Sequence, residues 1–237
     1  MILFGTIVNG FCIIVGSFLG LLFANLKERY KETVMKGIAL TVILIGLQMA
    51  LKTNSIIIVL LSVVSGAIIG EFFQLEEKMK KIGDLIEKKL SKNKSNNVSQ
   101  AFISATLLFT IGAMSILGAL DSGLRGDHEI LLTKAILDGF ASFVLTTSLG
   151  YGVVFSVVPV VLYQGTITIL AKQMERIISE SIFNEIIMEI SAVGGILIVA
   201  LGMNLLQITK IRVSNLLPSL VTLGFIFYVA HLLHVLN

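Results

Sequence analysis

Long apolar runs separated by short polar connections dominate the pattern along the chain. About 20 consecutive apolar residues cross a bilayer as a helix, so each run of that length predicts a membrane span. Eight runs meet this condition: 2–24, 33–51, 56–73, 101–120, 131–149, 153–171, 185–206 and 212–236. The pattern therefore predicts an all-α, polytopic transmembrane helix bundle that forms a single integral membrane domain over residues 1–237.

The division between the fifth and sixth runs is open. Apolar residues continue almost without interruption from Ile130 to Ala171. Gly150 and Gly152 weaken a helix between them, and Pro159 lacks a backbone donor. Two helices joined by a tight turn give eight spans, whereas one helix followed by a broken or re-entrant one gives seven. Irregular backbone at membrane depth is tolerated where it lines a watery cavity, so a break here would indicate a pathway.

Composition supports the membrane assignment and narrows the function. Hydrophobic residues make up 55% of the 237 residues, charged residues only 14%, and the mean hydropathy is +0.94. Soluble domains carry roughly a quarter charged residues. The net charge is only +3, and Cys12 has no second cysteine with which to form a disulfide. These figures exclude a soluble domain, a disordered chain, a disulfide-stabilised scaffold and a nucleic-acid binder.

The distribution of positive charge predicts the orientation. With eight spans, 13 of the 18 Lys and Arg residues fall on the side of the 74–100 connection and 5 on the other side. The positive-inside rule then places the N-terminus outside and 74–100 in the cytoplasm, in an inner or plasma membrane. Within that connection, apolar residues recur at helical spacing: Leu75, Met79, Ile82, Ile86 and Leu90. We therefore predict an amphipathic helix on the anionic leaflet, followed by a polar linker over 91–100.

Small residues form strips along three of the predicted spans. The strips comprise Gly5, Gly16 and Gly20 in the first span, Ser62, Gly66 and Gly70 in the third, and Gly112, Ser115 and Gly118 in the fourth. Such strips allow helix backbones to approach closely in lipid. We expect them to pack helices within one bundle or between the copies of a homo-oligomer.

Asp138 is the charged residue that lies deepest in a predicted span. It shares a helix face with Ser142 and Thr146, and Lys134 lies one turn before it. A carboxylate in hydrocarbon is costly unless it is paired or hydrated. Two interpretations stay open: a Lys134–Asp138 ion pair that merely fixes the helix, or a carboxylate that coordinates an ion or carries a proton. Glu189 also lies inside a span, but near enough to its end to reach the surface.

Four amide side chains also lie in predicted spans: Asn9, Gln48, Gln164 and Asn204. Interhelical hydrogen bonding alone could account for each of them. The segment Tyr163-Gln164-Gly165-Thr166 follows Pro159, so polar side chains coincide there with a loosened backbone, as at the discontinuous helices of transporters. The predicted pathway for a solute or ion therefore consists of Asp138, Ser142, Thr146, Tyr163, Gln164 and Asn9.

The sequence offers no positive case for catalysis. Asp127, His128 and Glu129 are adjacent, but adjacent residues seldom converge on one metal ion without distant ligands, so a solvated turn is predicted. No nucleophile triad and no phosphate-binding loop is recognisable. We therefore expect neither an enzyme nor a bound cofactor or metal.

Short segments that recur along the chain predict an inverted repeat of three spans. Three pairs of segments resemble one another: 14–17 and 110–113, 33–37 and 133–139, 62–64 and 156–158. Their offsets of 94 to 102 residues correspond to three spans, and an odd number of spans reverses the orientation of the copy. The predicted repeat units are 1–73 and 101–171, with 185–236 in addition.

Several segments also resemble one known family. They are Gly5-Thr6-Ile7-Val8-Asn9, 31–37, 112–128, Leu162-Tyr163-Gln164-Gly165, 189–195 and Lys210-Ile211-Arg212-Val213. Together they resemble the domain-of-unknown-function 554 family of bacterial and archaeal integral membrane proteins, over nearly the whole chain. The resemblance implies a multi-pass membrane protein, of a family whose members are often described as transporters or simply as uncharacterised, and it carries no substrate or catalytic residue.

One function and one alternative follow. We expect a transporter or channel for a small solute or ion, in which Asp138 binds a cation or carries a proton. The alternative is a membrane scaffold that does not transport, and whose small-residue strips and 74–100 connection bind partner proteins. The two differ in one structural respect: transport predicts a water-accessible cavity at Asp138, and a scaffold predicts a dry, closely packed interior.

Overall fold

The computed structural model describes residues 1–23, 28–90, 98–175 and 180–232, and all regular structure in them is helical. The helices are α1 Phe4–Leu22, α2 Glu28–Ala50, α3 Ile56–Phe73, α4 Leu75–Leu90, α5 Val98–Thr110, α6 Ala113–Leu124, α7 Glu129–Leu149, α8 Val157–Glu175, α9 Glu180–Leu205 and α10 Ser219–Leu232. Short 3-10 helices, Tyr151–Ser156 and Val213–Leu216, precede α8 and α10. The predicted all-α bundle is confirmed. The ends of the first and last predicted spans, residue 24 and residues 233–236, lie outside the described residues.

Seven of the eight predicted runs correspond to unbroken helical spans that are long and apolar enough to cross a membrane. The long run over 131–171 divides into two of them. The first, α7, ends at Leu149. Gly150 follows with a φ of +86°, which favours glycine, and a 3-10 helix leads from there into α8. Pro159 causes no break because it lies in the first turn of α8, where its missing N–H has no helical partner anyway.

The break lies instead in the fourth run, 101–120. There α5 and α6 meet at Ile111 and Gly112, and their axes are bent by 57°. Gly112 has φ +144° and ψ 148°, a conformation that residues with a β-carbon rarely adopt. A straight helix through the fourth run is therefore wrong, whereas for 131–171 the structure agrees with the alternative of two helices joined by a tight turn.

Contacts at its two ends indicate that the bent pair crosses the bundle. At one end, the carbonyl oxygen of Val98 lies against Gly152, just after α7, where α7 packs beside the last turn of α1. At the other end, Ser122 Oγ donates to the carbonyl oxygen of Ile2, 2.7 Å away, just before α1. The pair therefore leads from the C-terminal end of α1 to its N-terminal end. Together with the seven unbroken spans, it gives eight crossings among the described residues.

Small residues bring neighbouring helices into close contact. The closest approaches are Gly16 to Gly139 and Gly20 to Thr146 (α1 and α7), Gly5 and Gly118 to Leu131, Gly46 to Gly195 (α2 and α9), and Gly66 to Ser219 and Gly70 to Asn215 (α3 and the start of α10). The carbonyl oxygen of Ser62 accepts a hydrogen bond from Thr222 of α10 (3.1 Å). These strips therefore pack helices within one copy, while association between copies stays a prediction.

Gly112 differs from the other glycines of the predicted strips. No atom lies closer than 3.7 Å to the position that a β-carbon would take there, so close packing does not require a glycine. Its backbone conformation does, because φ is +144°. Gly112 therefore serves the bend between α5 and α6 rather than the packing of helices.

The outer faces of the spans carry large apolar side chains. Among those that are more than 60% exposed are Phe11, Phe18, Ile136, Val221 and Phe225. A water-soluble surface rarely exposes so much contiguous apolar area, whereas in a bilayer these side chains contact lipid.

The amphipathic segment after α3 forms the separate helix α4. Its first turn is tied to the connection between α9 and α10, because Glu76 N donates to Asn215 Oδ1 (2.7 Å) and Ser214 N donates to Glu76 Oε2 (2.9 Å). Helix α4 therefore lies at the same end of the bundle as the α9–α10 connection. Most of the predicted polar linker, residues 91–97, lies outside the described residues.

Candidate functional site

A buried ion pair lies on α7. Lys134 Nζ is 2.8 Å from Asp138 Oδ1 and 2.6 Å from Asp138 Oδ2, and the two residues are only 7% and 6% exposed. Asp138 lies nine residues after Glu129, the first residue of α7. That corresponds to about 14 Å along the helix axis, which is membrane depth. The ion pair of the first interpretation therefore forms, and the cation beside the carboxylate is a side chain of the same helix.

The pair is one end of a hydrogen-bonded chain that joins four helices. Asn9 Nδ2 on α1 donates to Asp138 Oδ2 (3.0 Å) and to Gln164 Oε1 on α8 (3.2 Å). Gln164 Nε2 in turn donates to Ser115 Oγ on α6 (3.0 Å). Asn9, Gln164 and Ser115 are fully buried. Polar groups at membrane depth need such partners, so the chain holds α1, α6 and α8 around the carboxylate on α7.

Two predicted pathway residues lie further along α7, on its contact with α1. Ser142 Oγ donates to the carbonyl oxygen of Ile13 (2.9 Å) and lies 2.7 Å from Ser17 Oγ. Thr146, one turn later, packs against Gly20. These side chains share the face of Asp138, as the spacing predicts, but they fasten two helices together rather than extend the chain to Gln164.

Tyr163 lies apart from the other predicted pathway residues. Successive residues on a helix point about 100° apart, so Tyr163 cannot share the direction of Gln164. It packs instead on the apolar cluster formed by Ile116, Leu120 and Ile187 of α6 and α9. The structure thus brings together Asp138, Asn9 and Gln164, and it adds Lys134 and Ser115 to them.

A cavity of about 710 Å³ borders the ion pair. It lies between α2, α5, α6, α7 and α9, and its polar lining residues are Thr41, Lys52, Ser115, Lys134, Asp138 and Ser191. The rest of the lining is almost entirely aliphatic or aromatic. Pockets of about 300–1,000 Å³ hold small molecules, so this one has the size of a solute site.

The bend between α5 and α6 forms part of the cavity wall. Ile111, Gly112, Met114 and Ser115 all line the cavity. The last carbonyl groups of a helix and the first N–H groups of the next have no partners within their own helices. Discontinuous helices in membrane transporters present such groups to bound solutes and ions. The bend and the Lys134–Asp138 pair therefore border the same cavity.

No metal centre is apparent in the part of the chain that the structure describes, since no group of three or more His, Cys, Asp and Glu side chains there could hold an ion. In the turn before α7, His128 Nδ1 lies 2.6 Å from Ser122 Oγ, and Asp127 Oδ1 accepts a hydrogen bond from the backbone N–H of Glu129 (2.9 Å). These contacts connect α6 to α7 and occupy the side chains that stand next to each other in the sequence.

Comparison with known proteins places the chain in a family. A family model described as a protein of unknown function (DUF554) matches residues 4–228. The chain belongs to the DUF554 family. The uncharacterized membrane protein YdfK of Bacillus subtilis (strain 168) is 32% identical over 234 residues, which cover 97% of each chain. The uncharacterized protein YqgA of Escherichia coli (strain K12) is 28% identical over 221 residues, which cover 91% of this chain and 92% of YqgA.

Membership of the DUF554 family confirms the resemblance that the segments along the sequence indicate. It also agrees with the multi-pass membrane architecture, because YdfK is named as a membrane protein. No solved structure gives a significant match to the chain.

Glu189 has a role in this DUF554 protein that its position in the sequence does not indicate. It is 2% exposed on α9, where it accepts hydrogen bonds from Thr53 Oγ1 (2.6 Å), Asn54 N (2.8 Å) and Ser55 N (3.2 Å). It thereby satisfies donors in the turn before α3 and does not reach the surface. A tertiary contact of this kind leaves no local pattern in the sequence, although a buried acid facing the start of a helix is favoured by the helix dipole.

A second polar cluster lies at the end of the bundle where α4 begins. Glu71 at the end of α3 is paired with Arg212 and accepts a hydrogen bond from Asn215 Nδ2 (2.6 Å). A cavity of about 750 Å³ beside it is lined by both acidic and basic residues, among them Lys80 and Lys210. Asn204, one of the predicted buried amides, fastens the α9–α10 connection at this end, and Gln48 is exposed.

Proposed function

We propose that the protein moves a small solute or ion across the bilayer through the cavity beside Lys134 and Asp138. The observation that carries the proposal is the position of this ion pair, which is buried at membrane depth and yet borders a cavity of about 710 Å³. Buried ion pairs contribute little net stability compared with apolar packing. A pair that only fixed α7 would need no cavity beside it.

The bend at Gly112 supports the same proposal. It breaks the span that lines the cavity, and Ser115, three residues later, is hydrogen bonded through Gln164 and Asn9 to Asp138. A movement of α6 about the bend would therefore change the surroundings of the carboxylate. Such a hinge at a polar site suits a protein whose site must face each side of the membrane in turn.

In the proposed orientation, the protein lies in the inner or plasma membrane, with its N-terminus outside the cell and α4 in the cytoplasm. Most Lys and Arg residues lie on the α4 side, as the positive-inside rule requires. The proposal includes no chemical conversion of the solute, and hence no enzyme activity. It also needs no cofactor.

Reconstituted protein tests the proposal. Liposomes containing the protein are mixed with small polar solutes and salts, and the rate of osmotic swelling is followed by light scattering. We expect Asp138→Asn to slow the permeant solute by about tenfold or more, because the carboxylate loses its charge while the fold keeps an amide that can hydrogen bond. The matched control is Glu189→Gln, a buried acid outside the cavity lining, which should stay within about twofold of the unaltered protein.

Equal binding and flux in the unaltered protein and in Asp138→Asn would contradict the proposal. Cysteine labelling then separates transport from the scaffold alternative. Single cysteines at the cavity residues Ser115 and Val144, in a Cys12→Ala background, should react with a water-soluble reagent, whereas a cysteine at the lipid-facing Ile136 should not. Uniform protection at all three positions would favour the scaffold. The small-residue contacts described above lie within one copy, so they give no support to the binding of partner proteins that the scaffold alternative assumes.

A further inference from the structure

We propose that the solute taken by this cavity carries no net charge and combines one hydrogen-bonding end with an aliphatic body. The inference rests on the proposed transport function and names its substrate class. Neutral polar molecules and zwitterions with an apolar side chain both belong to this class. The inference follows from the charge, the remaining hydrogen-bonding capacity and the apolar lining of the cavity.

The buried wall of the cavity is electrically balanced. Its buried charges, among the lining residues that the structure describes, are Lys134 and Asp138, and these two neutralise each other at 2.6 Å. Lys52 also lines the cavity but is exposed just after α2, where water can hydrate it. A net charge brought to membrane depth therefore finds no unpaired opposite charge to compensate its loss of hydration.

The polar end of the cavity keeps both donor and acceptor capacity. Lys134 has three N–H donors, and its contacts with Asp138 use two of them. The Asp138 carboxylate has about four acceptor sites, of which Lys134 and Asn9 occupy three. Ser115 accepts from Gln164 Nε2 and keeps its own hydroxyl hydrogen for donation. A solute end that both donates and accepts, such as an amide or an amino acid group, matches this set.

The remainder of the lining fits an aliphatic body. The apolar residues around the cavity include Val34, Ile38, Val42, Ile45, Leu108 and Val144. Their burial against apolar groups of a solute contributes about 25 cal/mol for each Å² removed from water. The polar end then sets orientation, while the apolar walls supply most of the affinity.

Four probe solutes with a similar branched aliphatic body test how the net charge of the solute affects binding. They are leucine (zwitterion), isocaproamide (neutral), isocaproate (anion) and isohexylammonium (cation). Their binding to the purified protein in nanodiscs is measured by titration calorimetry at neutral pH. We expect leucine or isocaproamide to bind at least about tenfold more tightly than either ion. An ion that binds most tightly, or the absence of binding by all four, would overturn the inference.

Variants that change the charge of Lys134 or Asp138 should change which probe binds most tightly. Asp138→Asn leaves Lys134 unpaired, so isocaproate should become the tightest probe. Lys134→Gln leaves Asp138 unpaired, so isohexylammonium should become the tightest. The double variant is neutral again and should return to the preference of the unaltered protein, which also guards against misfolding of a single variant. Lys172→Gln, an exposed lysine outside the cavity, is the matched control. Single variants that keep the original order of probes would contradict the reasoning.

The outcome distinguishes this inference from the proposed function. If ions bind most tightly and also cross reconstituted liposomes, the protein is a transporter and the inference of a neutral substrate is wrong. If the neutral probes bind in the expected order but none crosses the liposomes, the site is assigned correctly and the transport function is wrong. Binding and flux are therefore measured on the same preparation.

Discussion

The contact between α1 and α7 makes a quantitative prediction for Gly16→Ala. A β-carbon at Gly16 would lie 2.0 Å from the carbonyl oxygen of Gly139 and 2.9 Å from its carbonyl carbon. Ordinary van der Waals contact begins at 3.4 Å, so the helices would have to separate by about 1.4 Å, the difference between 3.4 Å and 2.0 Å. Both obstructing atoms belong to backbone, which cannot rotate away as a side chain can.

The size of the effect follows from what this separation breaks. Inserting a methyl group into a packed core costs about 1–3 kcal/mol. The Ser17–Ser142 contact at 2.7 Å and the Asn9–Asp138 hydrogen bond at 3.0 Å cross the same interface and would lengthen beyond hydrogen-bonding range. Interhelical hydrogen bonds in membrane proteins contribute about 0.6 kcal/mol each on average. We therefore expect Gly16→Ala to lower the free energy of unfolding by about 2–4 kcal/mol.

Equilibrium unfolding in mixed micelles, followed by far-ultraviolet circular dichroism, measures this change. Gly37→Ala is the matched control, because no atom lies within 4 Å of the position of its β-carbon. Alanine favours a helix over glycine by up to about 1 kcal/mol, so the control should be unchanged or slightly more stable. A Gly16→Ala protein as stable as the Gly37→Ala protein would refute the close approach of α1 and α7.

Two further predictions use the same measurement. Gly112→Ala should lower the free energy of unfolding by about 1–3 kcal/mol although the site has room for a methyl group, because alanine at φ +144° is strained. A loss below the experimental error would show that the bend does not depend on that conformation. Glu189→Leu should cost about 1–3 kcal/mol, since it leaves the donors before α3 without their acceptor, whereas Glu189→Gln should retain most of the stability. Equal losses in these two variants would rule out hydrogen bonding as the reason.

The spans could be predicted from the sequence because their cause is local. An apolar run of membrane length becomes a helix in lipid whatever it later packs against, since every backbone polar group must be satisfied within it. The small-residue strips of α1 and α3 could also be predicted from a local pattern, because the spacing of their residues puts them on one helix face. The position of the bend between α5 and α6 could not be predicted in this way. Gly112 and Gly150 both have positive φ, but only Gly112 interrupts a predicted span, and nothing in the neighbouring residues distinguishes the two.

The candidate site was predictable only in part. Asp138 and Lys134 are four residues apart on one helix, so their pairing follows from helical spacing. The partners on other helices do not follow from any spacing: Asn9 is 129 residues from Asp138, and Gln164 is 49 residues from Ser115. Buried amides demand partners, which made Asn9 and Gln164 candidates, but which partner each one finds depends on how the helices are arranged.

The two interpretations of Asp138, structural ion pair and functional carboxylate, do not exclude each other under the proposed function. The chain from Lys134 through Asp138, Asn9 and Gln164 ends at Ser115, three residues beyond the bend at Gly112. Lys134 and Asp138 lie on successive turns of α7, and each of the other bonds joins two helices. Because Ser115 accepts the last of these bonds, α6 cannot move about the bend without stretching the chain or breaking it. A solute that takes up the remaining donors and acceptors of the pair would therefore alter the balance between positions of α6. If the proposed transport function is correct, the pair would hold α6 in the position seen in the structure and respond to the ligand through the same hydrogen bonds.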